Sequence, residues 1–114
     1  MGTNAPARYE ELSQGLADLG KVVPSVMDGF SRLHRNAITG GALDERTKEL
    51  MALAIAVAVR CDGCIAFHVH DAVRAGASRD EVAEAIGVAV LMGGGPAAVY
   101  GTEALRAYEQ FTEA

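Results

Sequence analysis

The sequence predicts an all-α single domain, a bundle of about six helices in which a central helical hairpin carries a CxxC pair. Three observations lead there. Prolines, glycine clusters and capping residues divide the chain into about six apolar-periodic segments, and nowhere does a two-residue alternation run long enough to make a strand. Half of the 114 residues are apolar, yet there are only three Phe, three Tyr and no Trp. Alanine and the branched aliphatics must therefore supply most of the burial, which suits closely packed helices. A chain of this length fits one domain, residues 1–114, and folding hides only about two thirds of the surface that the unfolded chain exposes. Apolar faces left over are expected to be covered by further copies of the chain, so a homo-oligomer assembled through helix faces is predicted.

Taken in order, Tyr9, Leu12, Leu16 and Leu19 recur at helical spacing and Pro24 closes that first segment. Pro24 also suits the first turn of a second helix, whose face is marked by Val26, Phe30, Leu33 and Ala37. TGGAL at 39–43 is a loop and Asp44 an N-cap for segment three. That segment, about 44–60, is charged early and then apolar on every side as far as Val59, the pattern of a helix buried all round. Its early acids and Arg60 at its end suit the helix dipole. Segment four runs from about Asp62 to Ala75 with Gly76 as its stop. Ser78 with Glu81 is a capping box for segment five, whose Val82, Ile86, Ala89 and Val90 face inward. GGGP at 93–96 is a turn, since it lacks the GK[ST] ending and the preceding strand of a phosphate loop. The last segment places Val99, Ala104, Leu105, Tyr108 and Phe111 on one apolar face.

Composition excludes several partners. The net charge is −5 with Lys and Arg scattered singly, so no basic stripe awaits a nucleic acid. Arg32, His34 and Arg35 read as a solvated face of the second helix. The longest apolar runs, 50–59 and 85–92, fall short of the roughly 18 residues that suggest a membrane span. The N-terminus has no apolar signal core, and Pro6 stands where a myristoylation signal wants Ser or Thr. A cytoplasmic protein is expected, and there a CxxC pair is redox-active or metal-binding more often than a permanent staple.

The stretch CDGCIAFHVH at 61–70 carries the chemistry. Cys61 falls at the cap of segment four and Cys64 in its first turn, where free backbone amides and the helix dipole favour a thiolate. The CxxC spacing lets the two sulfurs bond. His68, four residues after Cys64, points along the same side and can take the thiol proton or return one. Asp71 lies near the same line and could orient the ring, whereas His70 lies about 200° round the helix from His68, beside Arg74, and reads as surface. Three readings of the cysteines stand at this point. They could be buried hydrophobes at a helix junction. They could, with His68, be three ligands of a zinc site that lacks a fourth. The reading that unites CxxC, helix start and aligned imidazole is a redox dithiol.

With these residues in place the sequence resembles the carboxymuconolactone decarboxylase superfamily, specifically its alkyl hydroperoxide reductase D-like peroxidase branch. The branch pattern E-x11-C-x2-C-x3-H is matched by Glu49, Cys61, Cys64 and His68, and the likeness spans about residues 40–92. The resemblance implies an all-helical fold assembled into trimers or hexamers, with peroxides reduced by the cysteine pair. It implies Cys64 as the attacking thiol, Cys61 as the resolving thiol, and His68 with Glu49 as a proton relay. On one straight helix Glu49 would lie about 18 Å from Cys61. Segment four must therefore fold back towards Glu49, or water or another subunit must bridge the gap. The best-known peroxidases of the branch have a second histidine where this chain has Gly63, so a donor and base is missing there. The decarboxylase branch does not use a cysteine pair at this place.

The expected function is that of a thiol-dependent peroxidase or dithiol-disulfide oxidoreductase acting on a hydroperoxide. An external dithiol, a lipoyl group or a thioredoxin-like protein by resemblance, would reset the pair, with no metal or bound organic cofactor. Two other readings keep the fold. One is a lyase of the decarboxylase type using His68 as acid and base, whose activity would survive loss of both cysteines. The other is a redox-sensing oligomer without turnover, whose assembly would change with the disulfide.

Overall fold

The computed structural model describes residues 4–113, which form six α-helices: α1 (Ala5–Val22), α2 (Pro24–Ile38), α3 (Glu45–Ala58), α4 (Asp62–Arg74), α5 (Arg79–Gly93) and α6 (Gly95–Thr112). Among the described residues there is no strand. The helices start where the sequence places caps. Asn4 accepts from the Ala7 N–H, Asp44 from the Thr47 N–H, and Ser78 and Glu81 close a capping box. These side chains take up amides that the helix itself leaves free. Pro24 opens α2, where its missing N–H costs nothing.

The ends of α3 and α4 share one device. In each, the residue two past the last helical turn donates back to the helix and the residue before it takes a left-handed conformation, the Schellman arrangement. After α4 that residue is Gly76, φ 92°. After α3 it is Arg60, φ 61°, and here the Cys61 N–H donates to the Ala56 oxygen (3.0 Å) and the Arg60 N–H to that of Val57 (3.2 Å). Arg60 thus lies just beyond α3 rather than in its last turn, and its backbone makes the reversal into α4.

Helices α3 to α6 pack against one another, α1 lies across α4 and α6, and α2 touches α1 and only the edge of α3. Leu53, Val57, Val69 and Val82 are fully buried, and alanines such as Ala72, Ala97 and Ala104 fill the close approaches between axes. The α5–α6 contact depends on the lack of a side chain at Gly101, where a Cβ would stand 2.6 Å from Ile86 Cγ2.

Two expectations change. Helix α3 is not buried all round: Met51, Ile55 and Val59 form an exposed stripe, with Ile55 at 62% exposure. Within one chain its neighbours leave this stripe uncovered, and apolarity of sequence does not report how many sides a single chain can cover. Val99 likewise faces outward on α6, whose buried positions are Ala97, Gly101, Ala104 and Ala107. Val88, Leu91 and Met92 of α5 are exposed as well, and α2 buries no residue, leaving Val26, Phe30 and Leu33 open. No helix is long and apolar enough to cross a membrane among the described residues.

Two expected outcomes follow from these helix ends. Arg60→Gly removes the left-handed strain of a residue with a Cβ, which outweighs the added freedom of the unfolded chain, and should raise stability by about 0.5–1 kcal/mol in urea unfolding. Hydrogen bonds from Thr47 hold the Asp44 carboxyl below its ordinary value. Its ionised form therefore adds stability above the ordinary carboxylate range, and this is lost as pH falls through the lowered value. Asp44→Asn keeps a cap but not the charge, so its thermal midpoint should fall less steeply than that of the wild type on acidification.

Candidate active site

The α3–α4 reversal brings together residues far apart in sequence. Cys61 is the N-cap of α4, its sulfur accepting from the Cys64 N–H at 3.2 Å, and the two cysteines are joined as a disulfide with Cα atoms 5.2 Å apart. Cys64 is exposed and Cys61 half-buried. One turn further along α4, His68 Nδ1 lies 2.8 Å from Oε1 of Glu49. Of the routes open to Glu49, direct contact within the chain is the one realised, because α4 runs back along α3. Glu49 is 1% exposed and His68 half-buried. With the carboxylate accepting from Nδ1–H, the Nε2 atom is left to take a proton.

Asp71 does not orient His68. It is buried and bonds the ring beside it, His70 Nδ1, at 2.8 Å, with Arg74 3.6 Å away. His70 in turn is only partly at the surface, its side chain 29% exposed. Its ring stacks on Tyr9 of α1 (centroids 3.9 Å apart, 18° between planes) and meets the edge of Phe111 of α6. The periodicity of α4 assigns His70 a side opposite His68, but gives no sign that α1 and the end of α6 cover that side.

His34 is exposed, as a solvated face of α2 predicts, but that face also borders the site: its ring centroid stands 6.2 Å from that of His68 and it lines the same cleft as the sulfurs. One signal was present: Met27, Phe30, Ser31 and His34 fall at helical spacing on one face of α2. His34, Glu49 and Asp71 each bring one ligand-type atom within 4.8 Å of the others, and these three residues could hold a metal ion. The zinc set considered from sequence, Cys61, Cys64 and His68, does not converge in this way, since both sulfurs are spent in the disulfide. His68 and His70 each bond one of the two buried acids.

A cleft of about 680 Å³ opens between α1, α2 and α4. Leu12, Leu16, Met27, Phe30 and Phe67 make its apolar wall, and the sulfurs of Cys61 and Cys64 and the imidazoles of His34 and His68 also line it. Gly63 sits at its edge beneath α1. A Cβ there would stand 3.0 Å from Leu12 Cδ1, so Leu12 fills the place that a side chain at position 63 would need.

These features define an all-helical protein whose disulfide-forming CxxC pair stands at a helix start, beside an imidazole anchored by a buried carboxylate. The chain belongs to the carboxymuconolactone decarboxylase family, whose profile matches residues 24–107. It is 36% identical over 109 residues, 96% of each chain, to an uncharacterised protein of Cupriavidus necator. It is 37% identical over 98 residues to uncharacterised protein 4 in the cox locus of Paracoccus denitrificans, covering 86% of this chain and 88% of that one. Among solved structures, an apo carboxymuconolactone decarboxylase family protein of Legionella pneumophila superposes with a TM-score of 0.92 at 45% identity, over 96% of this chain and 97% of that one. A Thermotoga maritima family member with a suggested part in the antioxidative response superposes with a TM-score of 0.70 at 28% identity, over 84% and 88% of the two chains.

Placing a side chain at position 63 should separate α1 from α4. In Gly63→His, amide hydrogen exchange across residues 5–22 is expected to be faster than in wild type while α3 to α6 stay protected. Unchanged exchange would mean that Leu12 yields without loosening the helix.

Proposed function

We propose that the chain is a thiol-dependent peroxidase of the alkyl hydroperoxide reductase D-like kind, with an antioxidant role in the cytoplasm. One observation carries this reading: the cysteine pair opens onto an apolar cleft at a helix N-terminus while His68, braced by buried Glu49, stands one turn from Cys64. The suggested antioxidative role of the Thermotoga relative supports the same reading.

In the reduced protein the amides of the first turn of α4 and the His68 ring favour ionisation of Cys64, and Glu49 steadies the imidazolium that results. The thiolate attacks the distal oxygen of a hydroperoxide. A sulfur–oxygen bond forms, the O–O bond breaks, and the electron pair leaves with the alkoxide, which becomes the alcohol on taking a proton. Sulfur is oxidised by two electrons to the sulfenic acid. The Cys61 thiol then displaces water to give the disulfide. An external dithiol, a lipoyl group or a thioredoxin-like protein, returns the pair to two thiols and is itself oxidised to a disulfide. The apolar wall suits an alkyl hydroperoxide or the hydrocarbon of a lipoyl arm. The exposed stripes of α2, α3 and α5 suit packing of further copies into a trimer or hexamer.

Stopped-flow consumption of an organic hydroperoxide by the reduced protein tests the assignment. Cys64→Ser should slow it by about a hundredfold or more. Cys61→Ser should consume one equivalent and stop as a trappable sulfenic acid. Consumption by Cys64→Ser at the wild-type rate would remove Cys64 from the chemistry.

A further inference from the structure

We propose that His34 is a second catalytic imidazole of the cleft, the acid that protonates the leaving alkoxide. The proposal rests on the peroxidase reading and deepens it. Each turnover moves two protons in opposite senses: one leaves the Cys64 thiol and one reaches the alkoxide. His68 is placed for the first. It lies one turn from Cys64 and its Nδ1 is tied to Glu49, so a single nitrogen, Nε2, is left to exchange a proton. The chain has three histidines. His70 is withdrawn from the cleft between Tyr9, Phe111 and Asp71. No donor can come from position 63, which is a glycine with Leu12 packed over it. His34 remains.

It reaches the cleft from a different helix. Its ring lies 6.2 Å from that of His68, centroid to centroid, across a cavity that also holds Cys64. Among the described residues no side chain bonds its ring, so it is free to donate. One of its nitrogens is within 4.8 Å of an oxygen of Glu49 and of an oxygen of Asp71, a span short enough for a single water to link. Glu49 is also the partner of His68. The two imidazoles therefore stand beside one buried carboxylate. The thiol gives its proton to His68 Nε2. The His34 imidazolium gives one to the alkoxide. Solvent, which reaches both rings, resets them: Nε2 of His68 releases a proton and His34 takes one up. The sum is thiol plus hydroperoxide to sulfenic acid plus alcohol, with no net proton exchanged with solvent.

The test exploits the leaving group. An alkoxide needs a proton as it departs; the acetate released from peracetic acid does not. His34→Gln should slow the reaction of the reduced protein with tert-butyl hydroperoxide by about 10²–10⁴-fold, the usual contribution of a general acid, and that with peracetic acid by less than about threefold. Such a split is a signature that loss of structure does not produce. A parallel fall with both oxidants, or no change with either, overturns the proposal. Failure of the wild-type protein to consume either oxidant would instead overturn the peroxidase reading beneath it.

Discussion

The contact between His68 and the buried carboxylate of Glu49 sets the terms for the rest of the molecule. A carboxylate at 1% exposure costs several kcal/mol unless it is bonded, so the imidazole must be delivered to it within a few tenths of an ångström. Delivery requires α4 to run back along α3 with no slack. The Schellman turn through Val59, Arg60 and Cys61 does this, and it requires one left-handed residue, Arg60. Cys61 follows at once and has three duties. Its N–H closes the end of α3, its sulfur caps the start of α4, and the same sulfur bonds Cys64. The disulfide and the Glu49–His68 pair are thus fixed by one turn of backbone.

Helix α1 is the second constraint. Tyr9 covers His70 and Leu12 covers Gly63, while Arg8 stands 3.5 Å from Asp62 at the head of α4. By covering this side α1 shapes the cleft and partly covers one histidine. It also takes the space that a side chain next to Cys64 would occupy. The acid–base groups of the cleft must come from elsewhere, and those present come from α2, α3 and α4. The second buried acid, Asp71, is held by His70 and Arg74, so both acids have cationic or polar partners within the chain.

Much of this was legible in the sequence because it is local. Asp44, Ser78 with Glu81, Gly76 and Pro24 mark helix ends by backbone needs that depend on a few neighbouring residues. The placement of Cys61 at a cap and Cys64 in the first turn follows from the same rules, as does the alignment of Cys64 with His68. What periodicity could not supply was which helix covers which face. His70 and His68 fall on opposite sides of α4, and each side is only partly covered. The stripe Met51, Ile55 and Val59 reads as core by composition but lies outside it in a single chain. Glu49 was reached through a pattern of spacing shared with a family, because no local rule links positions 49 and 68. His34 was passed over since its neighbours Arg32 and Arg35 look like a solvated face, while its helical-face partners Met27 and Phe30 point to the cleft.

The central physical claim is that Cys64 is held as an anion by the first turn of α4 together with an imidazole that Glu49 anchors. Titration of each thiol in the reduced protein, followed by thiolate absorbance in single-cysteine variants with and without Glu49→Gln, tests it most directly. The account predicts that Cys64 ionises well below the roughly 8.5 of a free thiol, that Cys61 does so later, and that removing the Glu49 charge moves Cys64 upward. Ionisation of Cys64 at or above the free value, indifferent to Glu49, would contradict it.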